Sequence, residues 1–144
     1  MIPIQAMDEC SRYFDDIRII ATERDPRDIY LTAKHRWMTL DYPCKDVDIY
    51  CKYYKWLRGT IKEALNTKVL KIQFEDLVFN YDKTVAEIED FLEISSKYHI
   101  NPKTKFIPEK SAAGCNLKSM YVEDANEIRV IEQKLSKWLY KFNT

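Results

Sequence analysis

The chain has 144 residues, 46% of them hydrophobic and 32% charged, and its 23 Lys+Arg balance 23 Asp+Glu to leave no formal net charge. A single domain of this length buries enough apolar surface to need no disulfide or metal, and the neutral balance argues against a nucleic-acid-coating protein or a polybasic membrane binder. Gly59 and Gly114 are the only glycines, which excludes both a Walker-type loop and a G-x-G-x-x-G turn within these residues.

No apolar run approaches the roughly 18 residues of a membrane span, and Met1 to Asp8 lack the charged start and apolar core of a signal peptide. Cys10, Cys44, Cys51 and Cys115 form no C-x-x-C pair, and neither His35 nor His99 stands near them at zinc-ligand spacing. The expectation is four reduced thiols with structural roles in a cytoplasmic protein.

Ile17 to Thr22 is a β-branched run ending at a turn signal, which suits a buried parallel strand. A helix is predicted to follow: Asp25 suits the N-cap, Pro26 the first helical position, and the charge of Asp28 favours the helix start. Ile29, Leu31, Thr32, Trp37, Met38 and Leu40 extend its pattern until Tyr42-Pro43 stops it. A second helix is expected from about Asp46 to Asn66, with Val47, Tyr50, Cys51, Tyr54, Leu57, Ile61 and Leu65 as one buried stripe. Lys68 to Phe74 reads as a second strand. Glu75-Asp76 then opens a helix to about Ile94.

Ser95 to Asp124 has little periodicity and contains Pro102, Pro108 and Gly114, which marks a functional loop or lid. The chain closes on an amphipathic helix with Ile128, Ile131, Leu135, Trp138, Leu139 and Phe142 on one face. The sum is an α/β protein with a parallel sheet of few strands covered by helices. Two strands make a thin sheet, so the architecture looks like part of something larger.

The chemistry concentrates at Arg24, which stands where a buried strand hands over to a capped helix, the crest at which open α/β sheets bind ligands. Its planar fork suits a phosphate, and Thr32 can add a hydroxyl from the helix. Local chemistry leaves a second reading open, in which Arg24 and Arg27 pair with Glu23, Asp25 or Asp28.

Arg24-Asp25-Pro26-Arg27-Asp28 with Thr32 eight residues after Arg24 resembles the 3′-phosphate motif of sulfotransferases that use 3′-phosphoadenosine-5′-phosphosulfate (PAPS). Val69 to Leu77, followed by Thr84-Val85, Ile88 and Phe91-Leu92, is similar to the family's strand, its Y/F-E-D-L turn and the helix ending in "FL". Phe106 to Ser111, continuing through Lys118 to the terminal helix, resembles the C-terminal loop that covers the 3′-phosphate. The similarity to bacterial members extends from about Ile17 to Phe142.

The resemblance implies a partial P-loop-like sulfotransferase fold in one domain over residues 1–144, corresponding to the C-terminal part of the enzyme. It implies PAPS as co-substrate, a hydroxyl acceptor with a carbohydrate as the suggested class, and Arg24, Thr32, Lys110 and Lys118 as the cofactor-binding residues. Ordinary solvated surface lysines are the alternative reading of Lys110 and Lys118. Phe74 stands where many relatives have Tyr, so a hydroxyl contact there is lost. Glu75 and Asp76 read as residues that fix the loop, and neither His35 nor His99 matches the family's base position, so no catalytic residue is assigned.

The family's 5′-phosphosulfate loop and acceptor-activating base precede the Arg24 motif, and Met1-Ile2-Pro3-Ile4 carries neither. The expectation is therefore a sulfotransferase C-terminal part, truncated or split, with little or no activity alone. A non-enzymatic α/β interaction domain, or a nucleotide-binding half-site whose N-terminal half sits on another chain, are the competing readings.

Overall fold

The computed structural model describes residues 12–37, 43–59 and 68–142. Cys10 and the N-terminal stretch, Met38, Leu40 and Tyr42 of the first helical pattern, and Ile61 and Leu65 of the second stripe lie outside the described residues.

Among the described residues, two strands form the sheet. β1 (Arg18–Glu23) pairs in parallel with β2 (Lys68–Gln73), in a register that runs from Arg18 opposite Lys68 to Glu23 opposite Gln73. The strands end level, so the helices that follow them start side by side. α1 (Pro26–Leu31) is set by its cap: the Asp25 carboxylate accepts the Arg27 backbone N–H at 2.8 Å, with Pro26 in the first turn. The second strand passes directly into α3 (Phe74–Phe79), and buried Glu75 accepts the Asp25 N–H at 2.8 Å. That bond ties the two strand ends together.

The helix after β1 does not continue regularly. Thr32–Arg36 form a π-helical turn, closed by the Trp37 N–H donating to the Thr32 carbonyl at 3.0 Å. α2 (Val47–Gly59) starts on Asp46, whose carboxylate accepts the N–H groups of Asp48 and Ile49. Its predicted stripe is real over the described part, where Tyr50, Cys51 and Tyr54 are buried.

The single helix expected after β2 divides at Asn80 into α3 and α4 (Tyr81–Leu92). The Asn80 N–H completes α3 on the Asp76 carbonyl, while its own carbonyl accepts from both the N–H and the hydroxyl of Thr84. The change of direction buries both Val78 and Thr84. α4 stops at Glu93, which adopts the left-handed conformation.

The aperiodic stretch folds as short turns around one brief helix, α5 (Pro108–Ser111), with 3-10 turns at Ala112–Gly114, Leu117–Ser119 and Val122–Asp124. α6 (Ala125–Lys134) is shorter than its apolar pattern suggests. Beyond Leu135 the chain makes a 3-10 turn and straightens, because the Tyr140 N–H goes to the Asp25 carboxylate at 2.9 Å instead of to a helix carbonyl.

The core lies between α1, α2 and α6, where Tyr30, Leu31, Tyr50, Cys51, Leu117, Ile131 and Leu135 are almost fully buried. Each large aliphatic side chain there contributes about 1.5–3 kcal/mol through burial. The architecture is thus mixed α/β with two parallel strands and helical cover, as expected. Among the described residues no helix is long and apolar enough to cross a membrane.

Candidate anion-binding site

β1 delivers Arg24 to the carboxyl end of the sheet, just ahead of the α1 cap. Its guanidinium stacks over the Phe74 ring, 5.2 Å from the centroid, and Nη2 donates to the Thr32 hydroxyl at 3.1 Å and to the Gly114 carbonyl at 2.6 Å. Nε, on the same edge of the planar group as Nη2, is buried without a hydrogen-bond partner. No carboxylate stands within ion-pair distance of Arg24 among the described residues. A half-buried, charged fork with one edge only half engaged is suited to an oxyanion.

Arg27 answers the competing reading by contrast. It is buried and paired side-on with Asp25, Nε to Oδ1 at 2.9 Å and Nη2 to Oδ2 at 2.6 Å, while Nη1 reaches Glu132 at 2.7 Å. Burial works to lower its pKa, but Asp25 and Glu132 outweigh burial and raise it. Arg27 is therefore a structural cation, and Arg24 is the one without a counter-charge.

The former loop is strapped to this motif. Asp28, buried on α1, accepts the N–H groups of Asn116 and Leu117, each at 2.8 Å. Burial raises its pKa, against the two amides that stabilise the charge. Asn116 takes the left-handed conformation, φ 56°, which presents both N–H groups to one carboxylate. Farther along, Lys34 and His35 both bond Asp124, at 2.7 and 2.5 Å, and His35 stacks on Tyr121 with ring centroids 4.0 Å apart. Burial would raise the Asp124 pKa, but these two partners lower it.

Three roles at the site were not assigned from the sequence, although Gly114 and Asp28 were named there. Arg36 donates to the Ala113 carbonyl at 2.5 Å, so two guanidinium groups meet the Ala113-Gly114 turn. Arg36 lies four residues after Thr32, roughly one helical turn, which is a signal the sequence does carry. Gly114 is the second: a Cβ there would stand 3.4 Å from Arg24 Nη2 and 3.9 Å from Arg36 Nη1. The loop clamp of Asp28 is the third.

Of the four cofactor candidates, the fold brings Arg24 and Thr32 together. Lys110 is exposed on α5, and its ammonium has no hydrogen-bond or ion-pair partner among the described residues. Lys118 is engaged with Glu132 at 3.3 Å. Glu75 is a loop-fixing residue as expected; burial raises its pKa and one of its oxygens is buried without a partner. Asp76 accepts the Tyr140 hydroxyl at 2.8 Å. His99 lies beside Glu89 on α4.

Residues 3–98, two thirds of the 144-residue chain, match the sequence profile of the sulfotransferase family. The chain belongs to the sulfotransferase family. No curated protein and no solved structure matches it. The matched stretch takes in both strands, the Arg24 to Thr32 motif and the Phe74-Glu75-Asp76-Leu77 turn, and it ends before the loop that holds Lys110, Gly114 and Lys118. In a sulfotransferase, the donor is generally PAPS. The Arg24 fork, the adjacent hydroxyl and the side-chain-free approach at Gly114 fit a phosphate monoester.

Proposed function

We propose that this chain supplies the 3′-phosphate-binding part of a PAPS-dependent sulfotransferase acting on a hydroxyl acceptor, with a carbohydrate as the acceptor class. The observation that carries the reading is the half-buried Arg24 fork, which lacks a carboxylate among the described residues, has a buried Nε without a partner and has the Thr32 hydroxyl 3.1 Å away. A scaffold without a ligand would leave a buried donor unpaired at a cost of about 1–3 kcal/mol. A phosphate oxygen on that donor removes the cost.

When bound, PAPS provides an activated sulfuryl group: the acceptor oxygen forms the new S–O bond, the bond to the 5′-phosphate oxygen breaks, 3′,5′-ADP departs and the hydroxyl proton passes to a base or solvent. The residues of this chain bind and orient. Arg24 and Thr32 fix the far end of the nucleotide, Phe74 holds the guanidinium plane, and the Ala113-Gly114 turn with Arg36 closes beside it. Lys110 and Lys118 belong to the covering loop, and in this proposal Lys118 leaves Glu132 to meet the phosphate.

No residue described here is assigned to the sulfuryl end or to the acceptor proton, and the chain's two glycines form no phosphate-gripping loop. The proposal is accordingly a single-domain half-site with little or no turnover alone, completed by a further segment or another chain. The two-stranded sheet, with no third strand among the described residues, supports that reading. The described cysteines are free thiols, as a reducing cytoplasm would keep them; burial raises each pKa, Cys115 to about 11, so none is an activated nucleophile.

Isothermal calorimetry with 3′,5′-ADP tests the assignment. Binding at millimolar or tighter affinity that falls at least tenfold in Arg24→Ala and severalfold in Thr32→Val is expected. No binding to the folded wild-type chain would favour a non-enzymatic interaction domain instead.

A further inference from the structure

Away from the Arg24 site, a cavity of about 520 Å³ opens where the end of α2 meets the turn after α6. Lys55, Arg58, Lys134, Ser136, Lys137 and Trp138 line it, and among the described residues no carboxylate does. Two of the four cations are answered from outside the cavity: Lys134 by Asp48 at 2.6 Å and Arg58 by Glu23 at 3.5 Å. Lys55 and Lys137 have no carboxylate within ion-pair distance among the described residues.

The wall is ordered by a stack of cations and rings. Arg58 lies over Tyr54, 5.0 Å from its centroid, and Tyr54 packs edge-on against Trp138 at 5.7 Å and 76°. Arg58 Nε is buried without a hydrogen-bond partner, while Nη2 is 3.4 Å from the Tyr54 hydroxyl. Lys137 Nζ rests 3.9 Å from the centre of the indole. The Tyr54 hydroxyl reaches the Arg24 carbonyl at 3.4 Å, so the cavity lies behind the Arg24 site and does not share its donors.

The geometry points to a second binding site in this cavity, for a compound that carries a phosphate or sulfate on a ring. The oxyanion takes the charge of Lys55, Lys137 and Arg58, and the ring lies on the indole face that Lys137 now covers. Two kinds of compound present that chemistry, a nucleotide and an anionic sugar. Neither is required by the proposed donor reaction, which uses Arg24 and Thr32.

The test is an NMR titration of the full chain with 5′-AMP, glucose 6-phosphate and inorganic phosphate, following the Trp138 indole N–H as assigned through Trp138→Phe. Expected is a saturable shift with at least one of the two ring compounds, at least fivefold tighter than with inorganic phosphate. That affinity should fall tenfold or more in the double variant Lys55→Ala/Lys137→Ala, whose exposed side chains are not part of the core, and should persist in Arg24→Ala. Tighter binding of AMP identifies the nucleotide source, and tighter binding of glucose 6-phosphate the sugar source. Equal affinity for all three probes, no effect of the double variant, or loss of the shift in Arg24→Ala would each overturn the inference. Because the readout survives Arg24→Ala, its failure and that of the proposed function are separable.

Discussion

Replacing Asp28 by Asn should release the loop from the anion site without altering a group that would touch the nucleotide. The carboxylate accepts two backbone N–H groups at 2.8 Å each. The two N–H groups go to different carboxylate oxygens, so an Asn in the same place keeps an oxygen for one of them and sets its NH2 donor against the other. Losing a hydrogen bond to a charged acceptor removes about 1.5–3 kcal/mol, and the stranded N–H adds about 1–3 kcal/mol. Relief from a buried charge, visible in the raised pKa, offsets part of this. A net loss of roughly 2–4 kcal/mol should make the amides of residues 113–121 exchange with solvent deuterium about 30- to 700-fold faster than in the parent chain. Amides in β1 and β2 should change far less. Acceleration under fivefold in the loop, or equal acceleration in the sheet, would refute the reasoning that this carboxylate is the loop's anchor.

Gly114→Ala should fold with stability within about 0.5 kcal/mol of the parent, because the added Cβ finds ordinary contact distances, yet bind 3′,5′-ADP more weakly by crowding the Arg24 fork; thermal melts and calorimetry check the pair of outcomes. Asp25→Ala strips the buried Arg27 of its main partner and frees the Tyr140 N–H, so a loss of about 3–5 kcal/mol is expected in urea denaturation. Asp124 and Glu132 have lowered folded pKa values because their cationic partners outweigh burial, so the stability they add is present above the ordinary carboxylate range and is lost as pH falls through their folded values, below about pH 4. Asp28 and Glu75, raised by burial, work in the opposite sense. Exchange at pH 3 should therefore loosen the Tyr121 to Asp124 segment, and Lys34→Met should shift that loosening to higher pH.

Local signals in the sequence were sufficient wherever a short stretch settles its own conformation. The β-branched run of β1, the Asp25-Pro26 cap and the alternation of β2 each have a local cause and each is present. The Arg24 and Thr32 pairing was legible for the same reason, since both sit on one strand-to-helix passage. Long-range competition defeated the pattern elsewhere. The apolar face from Ile128 to Phe142 reads as one helix, but Asp25 claims the Tyr140 N–H and Arg27 its carbonyl, so helical bonding stops at Leu135. The stretch from Ser95 to Asp124 is aperiodic because its order comes from residues far away in sequence: Tyr81 and Phe74 pack on its first half, and Asp28, Lys34, His35 and Arg36 hold Ala113 to Asp124. No window of neighbouring residues carries that information, and Asn80 looks like an ordinary helix position until Val78 and Thr84 must both be buried.

The π-helical turn makes chain length itself a variable of the site. Its extra residue lies between Thr32, which faces Arg24, and Arg36, which meets the Ala113 carbonyl. Deleting one residue from Thr32–Arg36 would restore regular α-helical bonding, a gain in local regularity, but would rotate everything beyond the deletion by about 100°. The two arginines would then no longer converge on the same turn. A chain shortened by one residue here would keep its fold and lose the site, so at this segment a deletion costs more than most substitutions.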